Sequence, residues 1–127
     1  MTSKKINIAI VGFGNIGSFF YKILEKNKKA IAIKTGKIPF VKYISAKSIN
    51  KKRNIKIPKS KWFNNPINLT TKKNIDVIVE LIGGSDGIAK KIVVSALKNK
   101  KHVITANKAL IAKHGDQLAR IAEKNKV

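Results

Sequence analysis

Apolar residues fall along this chain in short blocks, each closed by residues that break its rhythm. Ile6-Asn7-Ile8-Ala9-Ile10-Val11 is β-branched and stops abruptly at Gly12, which predicts a buried strand. After Gly17 the period changes. Phe19, Phe20, Ile23 and Leu24 recur at helical intervals and predict a helix from Ser18 to about Asn27, with Asn15 and Ser18 as polar residues near its start. The stretch from Lys28 to Asn74 is less regular. There Phe40 to Ala46 reads as a second strand, Lys47 to Lys61 as a polar basic loop and Trp62-Phe63 as a short third strand. Pro66 opens a short turn or helix before Asn74. Ile75 to Ile82 is a fourth strand, and Gly83-Gly84 separates it from a helix over Asp86 to Asn99 with Ile88, Ile92, Val93, Ala96 and Leu97 on one face. His102 to Thr105 is then a fifth strand, and Lys108 to about Asn125 a closing helix with Leu110, Ile111, Leu118 and Ile121 inward. Strands alternating with helices of this length build βαβ units, hence an α/β fold around a parallel sheet.

Composition narrows the function. The 127 residues suit one small domain, able to bury roughly two thirds of its unfolded surface but not to form two cores. There is no cysteine, so a disulfide scaffold, a thiolate metal site and a cysteine nucleophile are excluded, and a cytoplasmic location is the expectation. The basic start Met1-Thr2-Ser3-Lys4-Lys5 is followed by an apolar run too short for a secretory leader, and no stretch is long enough for a membrane helix.

The formal net charge of +22 suggests nucleic acid, because any phosphate backbone attracts such a chain. Lysine, asparagine and isoleucine number 26, 12 and 21, nearly half of the chain, as A/T-rich coding would produce. There are only two arginines, the residue that reads bases and clamps phosphates bidentately. No specific nucleic-acid partner is therefore expected. One asymmetry survives: no acidic residue lies between Glu25 and Asp76, while Lys26 to Lys73 supplies 15 basic ones, a patch suited to a phosphate-bearing ligand.

Gly12, Gly14 and Gly17 form G-x-G-x-x-G between a predicted strand and a predicted helix, where the pattern has a mechanism. The first glycine permits a tight turn, the second lets backbone approach a pyrophosphate, and the third lets helix and strand pack closely. The fold class expected is therefore a single Rossmann-type, doubly wound parallel sheet. Ligands of such sheets lie beyond the carboxyl ends of the strands, here Gly12, the Ala46-Lys47 region, Gly83-Gly84 and Thr105-Ala106-Asn107-Lys108.

Three segments taken together, Ile10 to Gly17, Val79 to Gly84 and Lys101 to Ala112, resemble the N-terminal nucleotide-binding domain of homoserine dehydrogenases. The Thr105-Ala106-Asn107-Lys108-Ala109-Leu110 segment, followed by His114-Gly115, is the most specific part. The resemblance runs from about Lys5 to Glu123 and implies NAD(P)-dependent interconversion of L-homoserine and L-aspartate 4-semialdehyde, on the route to threonine, methionine and isoleucine. It also implies a following domain that carries substrate-binding acids, a catalytic lysine and the homodimer contact, so the chain is read as a fragment or isolated cofactor domain.

The carry-over assigns cofactor contacts to Ile10, Val11, Gly12, Phe13, Gly14, Asn15, Ile16, Gly17, Gly83, Gly84 and Asn107, and to Lys108 a place beside nicotinamide and substrate as the catalytic residue. Lys47 falls where the family often has an arginine for the adenosine 2′-phosphate. Ser48 stands where an Asp is common, so NADP is the expected cofactor, with NAD possible and the basic loop through Arg53 assisting. No metal is expected. Another Rossmann-type dehydrogenase, such as an aspartate dehydrogenase, would share the glycines but not the whole T-A-N-K-A-L segment. A basic nucleic-acid module is the non-enzymatic alternative.

Overall fold

The structure, a computed structural model, describes residues 4–127; Met1-Thr2-Ser3, part of the basic start considered above, lies outside the described residues. Strand β1 (Lys4–Val11) is followed by helix α1 (Asn15–Thr35) and strand β2 (Lys37–Ser45). A 3₁₀ turn at Lys59–Lys61 and the four-residue helix α2 (Pro66–Leu69) lead to β3 (Val77–Glu80), α3 (Ile88–Lys98), β4 (His102–Thr105) and α4 (Lys108–Lys124). The sheet order is β2-β1-β3-β4, and all three pairings are parallel.

Alternation along β1 sends its side chains to two cores. Ile8 and Ile10 join Val41, Ile44 and Val79 under Tyr21 of α1, whereas Ala9 and Val11 join Ile78 under Ile92 and Ala96 of α3. Helix α4 packs on α3 through Leu110 and Leu118 against Val93 and Leu97. Ile10, Ile44, Ile78 and Ile92 are completely buried, each worth about 1.5–3 kcal/mol relative to exposure. The sheet is thus wound on both faces. From β1 the chain goes out to β2 on one side and returns to β3 on the other, so the strand order reverses between β1 and β3.

Three expectations change. Helix α1 continues to Thr35, eight residues beyond the predicted end, and stops where Gly36 takes a left-handed φ of 72° and donates its N–H to Ala32. Trp62-Phe63 is not a strand. It makes one isolated bridge to Ile44, because the 3₁₀ turn before it and Asn65-Pro66 after it leave no room for a ladder. The strand at 102–105 is consequently the fourth. β2 also starts earlier, at Lys37, and carries Pro39, which an edge strand tolerates because its missing N–H would face outward.

Candidate functional site

The chain's three-glycine loop lies where the strand order reverses. Gly12 has φ 97° and donates to Ser45 at 2.8 Å, while Leu81 donates to Val11 at 2.7 Å, so the ends of β2, β1 and β3 are laced together just under the loop. An ideal Cβ on Gly12 would lie 2.8 Å from the Leu81 carbonyl, and one on Gly17 only 2.6 Å from the Gly12 oxygen. Both glycines therefore allow contacts between backbones.

Gly14 is different: a Cβ there meets nothing within 4 Å among the described residues, and the residue faces open space as the N-cap of α1. Among the described residues no side chain caps this helix, and no acid stands in its first turn. Its first N–H groups and the positive end of its dipole are left for an anion. Ile10 and Val11 point into the two cores, so only their backbone reaches the site. Phe13 is buried edge-on against Tyr21 and Trp62, with ring centroids 6.1 and 5.7 Å away, and anchors the loop. Asn15 and Ile16 are exposed in the first turn of α1.

A crevice of about 810 Å³ opens beside this loop, with Gly14, Lys47, Ser48, Lys51 and Ile82 among its walls. Lys47 stands exposed at its rim, two residues past the end of β2. Arg53 also lines the crevice, but its guanidinium donates to the carbonyls of Ser48 (2.7 Å), Lys51 (3.1 Å), Ile49 (3.2 Å) and Phe13 (3.4 Å). It lies 5.0 Å from the Trp62 ring and 5.6 Å from that of Phe13. Arg53 thus straps the basic loop onto the glycine loop, which sequence spacing did not reveal.

Gly83, Gly84, Asn107 and Lys108 form a second group at the ends of β3 and β4, outside the walls of this crevice. Gly83 and Gly84 adopt φ of 91° and 87°, and the buried Asn107 donates from Nδ2 to the Gly84 oxygen at 2.5 Å. Its Oδ1 accepts from Leu110 N–H at 3.0 Å, capping α4. Lys108, the first residue of α4, is exposed.

Sequence reading passed over two acids here. Glu80 is a charged residue inside an apolar strand, which is itself a signal, and it is fully buried. Asp86 accepts from Lys113 Nζ at 2.7 Å, pairs with His114 Nε2 at 2.9 Å and accepts from Ser85 Oγ at 3.1 Å, joining the loop after β3 to α4. Lys113 above all, then His114 and Ser85, hold its carboxyl well below the usual carboxylate range. A depressed folded value means that this pairing supports the fold above about pH 4 and is lost only as pH falls through the lower value. Carbon-detected titration of the Asp86 carboxyl should therefore give a midpoint below that of a free aspartate. The displacement should shrink in about 1 M salt, since Asp86 and Lys113, the partner with the largest effect, are solvent-exposed. An ordinary midpoint would show the trio to be open in solution.

A family model described as the homoserine dehydrogenase NAD binding domain matches residues 12–127. The chain belongs to this family. The homoserine dehydrogenase of Neisseria gonorrhoeae is 36% identical over 124 residues, covering 98% of this chain and 28% of that enzyme. Among solved structures, the homoserine dehydrogenase of S. aureus at pH 8.5 superposes with a TM-score of 0.90 at 38% identity, over 98% of this chain and 31% of that one. The enzyme from Thiobacillus denitrificans gives 0.91 at 30% identity, over 100% and 29%. This NAD-binding domain thus spans under a third of each of these three relatives. Its Rossmann-like fold agrees with theirs, and its glycine loop, uncapped helix and open Gly14 suit a dinucleotide pyrophosphate.

Proposed function

We propose that this chain binds NADP in preference to NAD and serves a homoserine dehydrogenase, which interconverts L-homoserine and L-aspartate 4-semialdehyde in amino-acid biosynthesis. The observation that carries the reading is the uncapped start of α1 behind Gly14, at the point where the strand order reverses. The pyrophosphate would rest on the backbone of Gly12 to Gly17, with Lys47 beside the adenosine 2′-phosphate and Gly83, Gly84, Asn107 and Lys108 toward the nicotinamide. The bound cofactor supplies or accepts hydride. Lys108 would hydrogen-bond the substrate oxygen and stabilise its changing charge. Substrate-binding acids, a second lysine and the dimer contact belong to the further domain that the family resemblance implies, and turnover is assigned to the two together. No nucleic-acid role is proposed, because lysines occur on every helix of eight or more residues rather than on one. No described helix is long and apolar enough to cross a membrane, and a cytoplasmic site of action fits the cysteine-free chain.

Cofactor preference follows from the end of β2. NAD-specific sheets usually place an acid there for the ribose 2′-hydroxyl, but Ser45 is followed here by Ala46, Lys47 and Ser48. With Arg53 committed to carbonyls, Lys47 and Lys51 are the free cations on the crevice wall among the described residues. Titrating the chain with NADPH and NADH, read by quenching of its one tryptophan, Trp62, should give at least about tenfold tighter binding of NADPH, the effect of one charge-assisted contact. Equal affinities, or a preference for NADH, would remove Lys47 from this role.

A further inference from the structure

Glu80 ends β3 opposite Thr105 of β4 and is buried completely, yet no cation pairs with it among the described residues. A buried carboxylate persists only where donors converge on it. One oxygen, Oε2, accepts the N–H groups of Ile82 (2.7 Å) and Gly83 (3.1 Å), and Oε1 accepts the Thr105 hydroxyl at 2.6 Å. Thr105 Oγ1 accepts in turn from Asn107 N–H at 3.0 Å, and Asn107 Nδ2 returns to the Gly84 oxygen. The bonds form a closed ring running Glu80, Thr105, Asn107, Gly84, Gly83 and back.

We propose that Glu80 is a positioning residue: through this ring it fixes the glycine loop after β3 and the turn after β4 as one unit, and so sets where Lys108 stands relative to a ligand on that loop. The functional consequence rests on the dinucleotide reading above, whereas the linkage of the two loops does not. Carboxylate chemistry suits the task. An ionised carboxyl is acceptor-only at both oxygens and can face two amides and a hydroxyl at once. A glutamine would keep one oxygen for the amides but turn an N–H toward Thr105, leaving the hydroxyl proton without its acceptor. Lys108 follows Asn107 directly, so the ring defines the first turn of α4.

Amide hydrogen exchange on the chain tests the linkage, because each cut is read on the loop it does not touch. Thr105→Val, a substitution that β structure favours, should raise exchange at Ile82 and Gly83 by about tenfold while leaving Ile78 and Val79 unchanged. Thr105→Ser should restore it. Glu80→Gln should raise exchange at Leu110. In a homoserine dehydrogenase carrying this domain, Thr105→Val should lower kcat by about tenfold with the dinucleotide KM within about twofold, since only alignment is lost. Changes confined to the loop each variant touches would overturn the proposal, as would a fall in thermal stability with kcat unchanged. Failure of the unmodified chain to bind either dinucleotide would instead overturn the cofactor reading, with the exchange results still deciding the linkage.

Discussion

Gly17→Ala is expected to destabilise the chain, and Gly14→Ala to leave its stability nearly unchanged while weakening dinucleotide binding. Both substitutions add one methyl group to the same motif. At Gly17 the added carbon would sit 2.6 Å from the Gly12 oxygen and 3.2 Å from the Phe13 ring, and backbone oxygen cannot swing aside. Overpacking of this kind costs about 1–3 kcal/mol or more, a large share of the roughly 5–15 kcal/mol that holds a domain folded. Gly12→Ala should be worse still, since its Cβ meets the Leu81 backbone at 2.8 Å and its φ of 97° strains any L-residue. Gly14 has negative φ and open space, so a methyl group there should change stability by no more than about 1 kcal/mol. The methyl group would occupy the approach to the α1 N-terminus, and dinucleotide affinity should fall by about tenfold or more. Thermal unfolding and cofactor titration of the three variants separate the two effects. Equal melting of the Gly14 and Gly17 variants would refute the packing argument; undiminished affinity in Gly14→Ala would refute the ligand argument.

The difference between these glycines is not in the sequence, where all three look alike. What the sequence displays is the change from a β-branched run to helical spacing across them, and that places β1, the turn and the first half of α1. The second half of α1 is hidden because the polar run Lys26-Asn27-Lys28-Lys29 interrupts the helical period, and Ala30-Ile31-Ala32-Ile33 after it is a continuous apolar block without helical spacing. Ile33 is 86% exposed, and only the left-handed Gly36 fixes the end. Between Ala46 and Asn74 the chain is held by tertiary contacts without periodicity: Arg53 against Trp62 and Phe13, and Phe63 donating to Ile44. Lys101 is another such case. Among 26 lysines it looks like surface, yet it is buried, donating from Nζ to Lys72 and Ile75 carbonyls, and burial lowers its pKa. At the site, local motifs show the glycine turns and Lys108, but the ring through Glu80 requires β3 and β4 to pair in register, which no local pattern states.

Lys108→Ala should lower kcat/KM of a homoserine dehydrogenase carrying this domain by about 10² or more without weakening the fold, the scale of a positioned acid-base or hydrogen-bonding group. The location supplies the argument. Lys108 is the first residue of α4, and no acid stands in that first turn, so its ammonium lies at the positive end of the helix dipole. A cation there contributes nothing favourable to the helix; it opposes the dipole by about 0.3–1 kcal/mol. Its side chain is exposed and forms no ion pair among the described residues, so removing it breaks no packing. Alanine should therefore leave the melting temperature unchanged or raise it slightly, while turnover collapses. Stability and activity then move in opposite directions, which a structural lysine would not produce. Affinity for NADPH should change by less than about fivefold, since the glycine loop, α1 and Lys47 are untouched. Lys108→Arg should restore the charge but little of the rate, because a planar guanidinium cannot reproduce a compact three-donor ammonium aimed at one oxygen. Turnover near that of the unsubstituted enzyme in a folded Lys108→Ala variant would return Lys108 to the solvated surface, and a lowered melting temperature with normal kcat would make it a structural residue of α4.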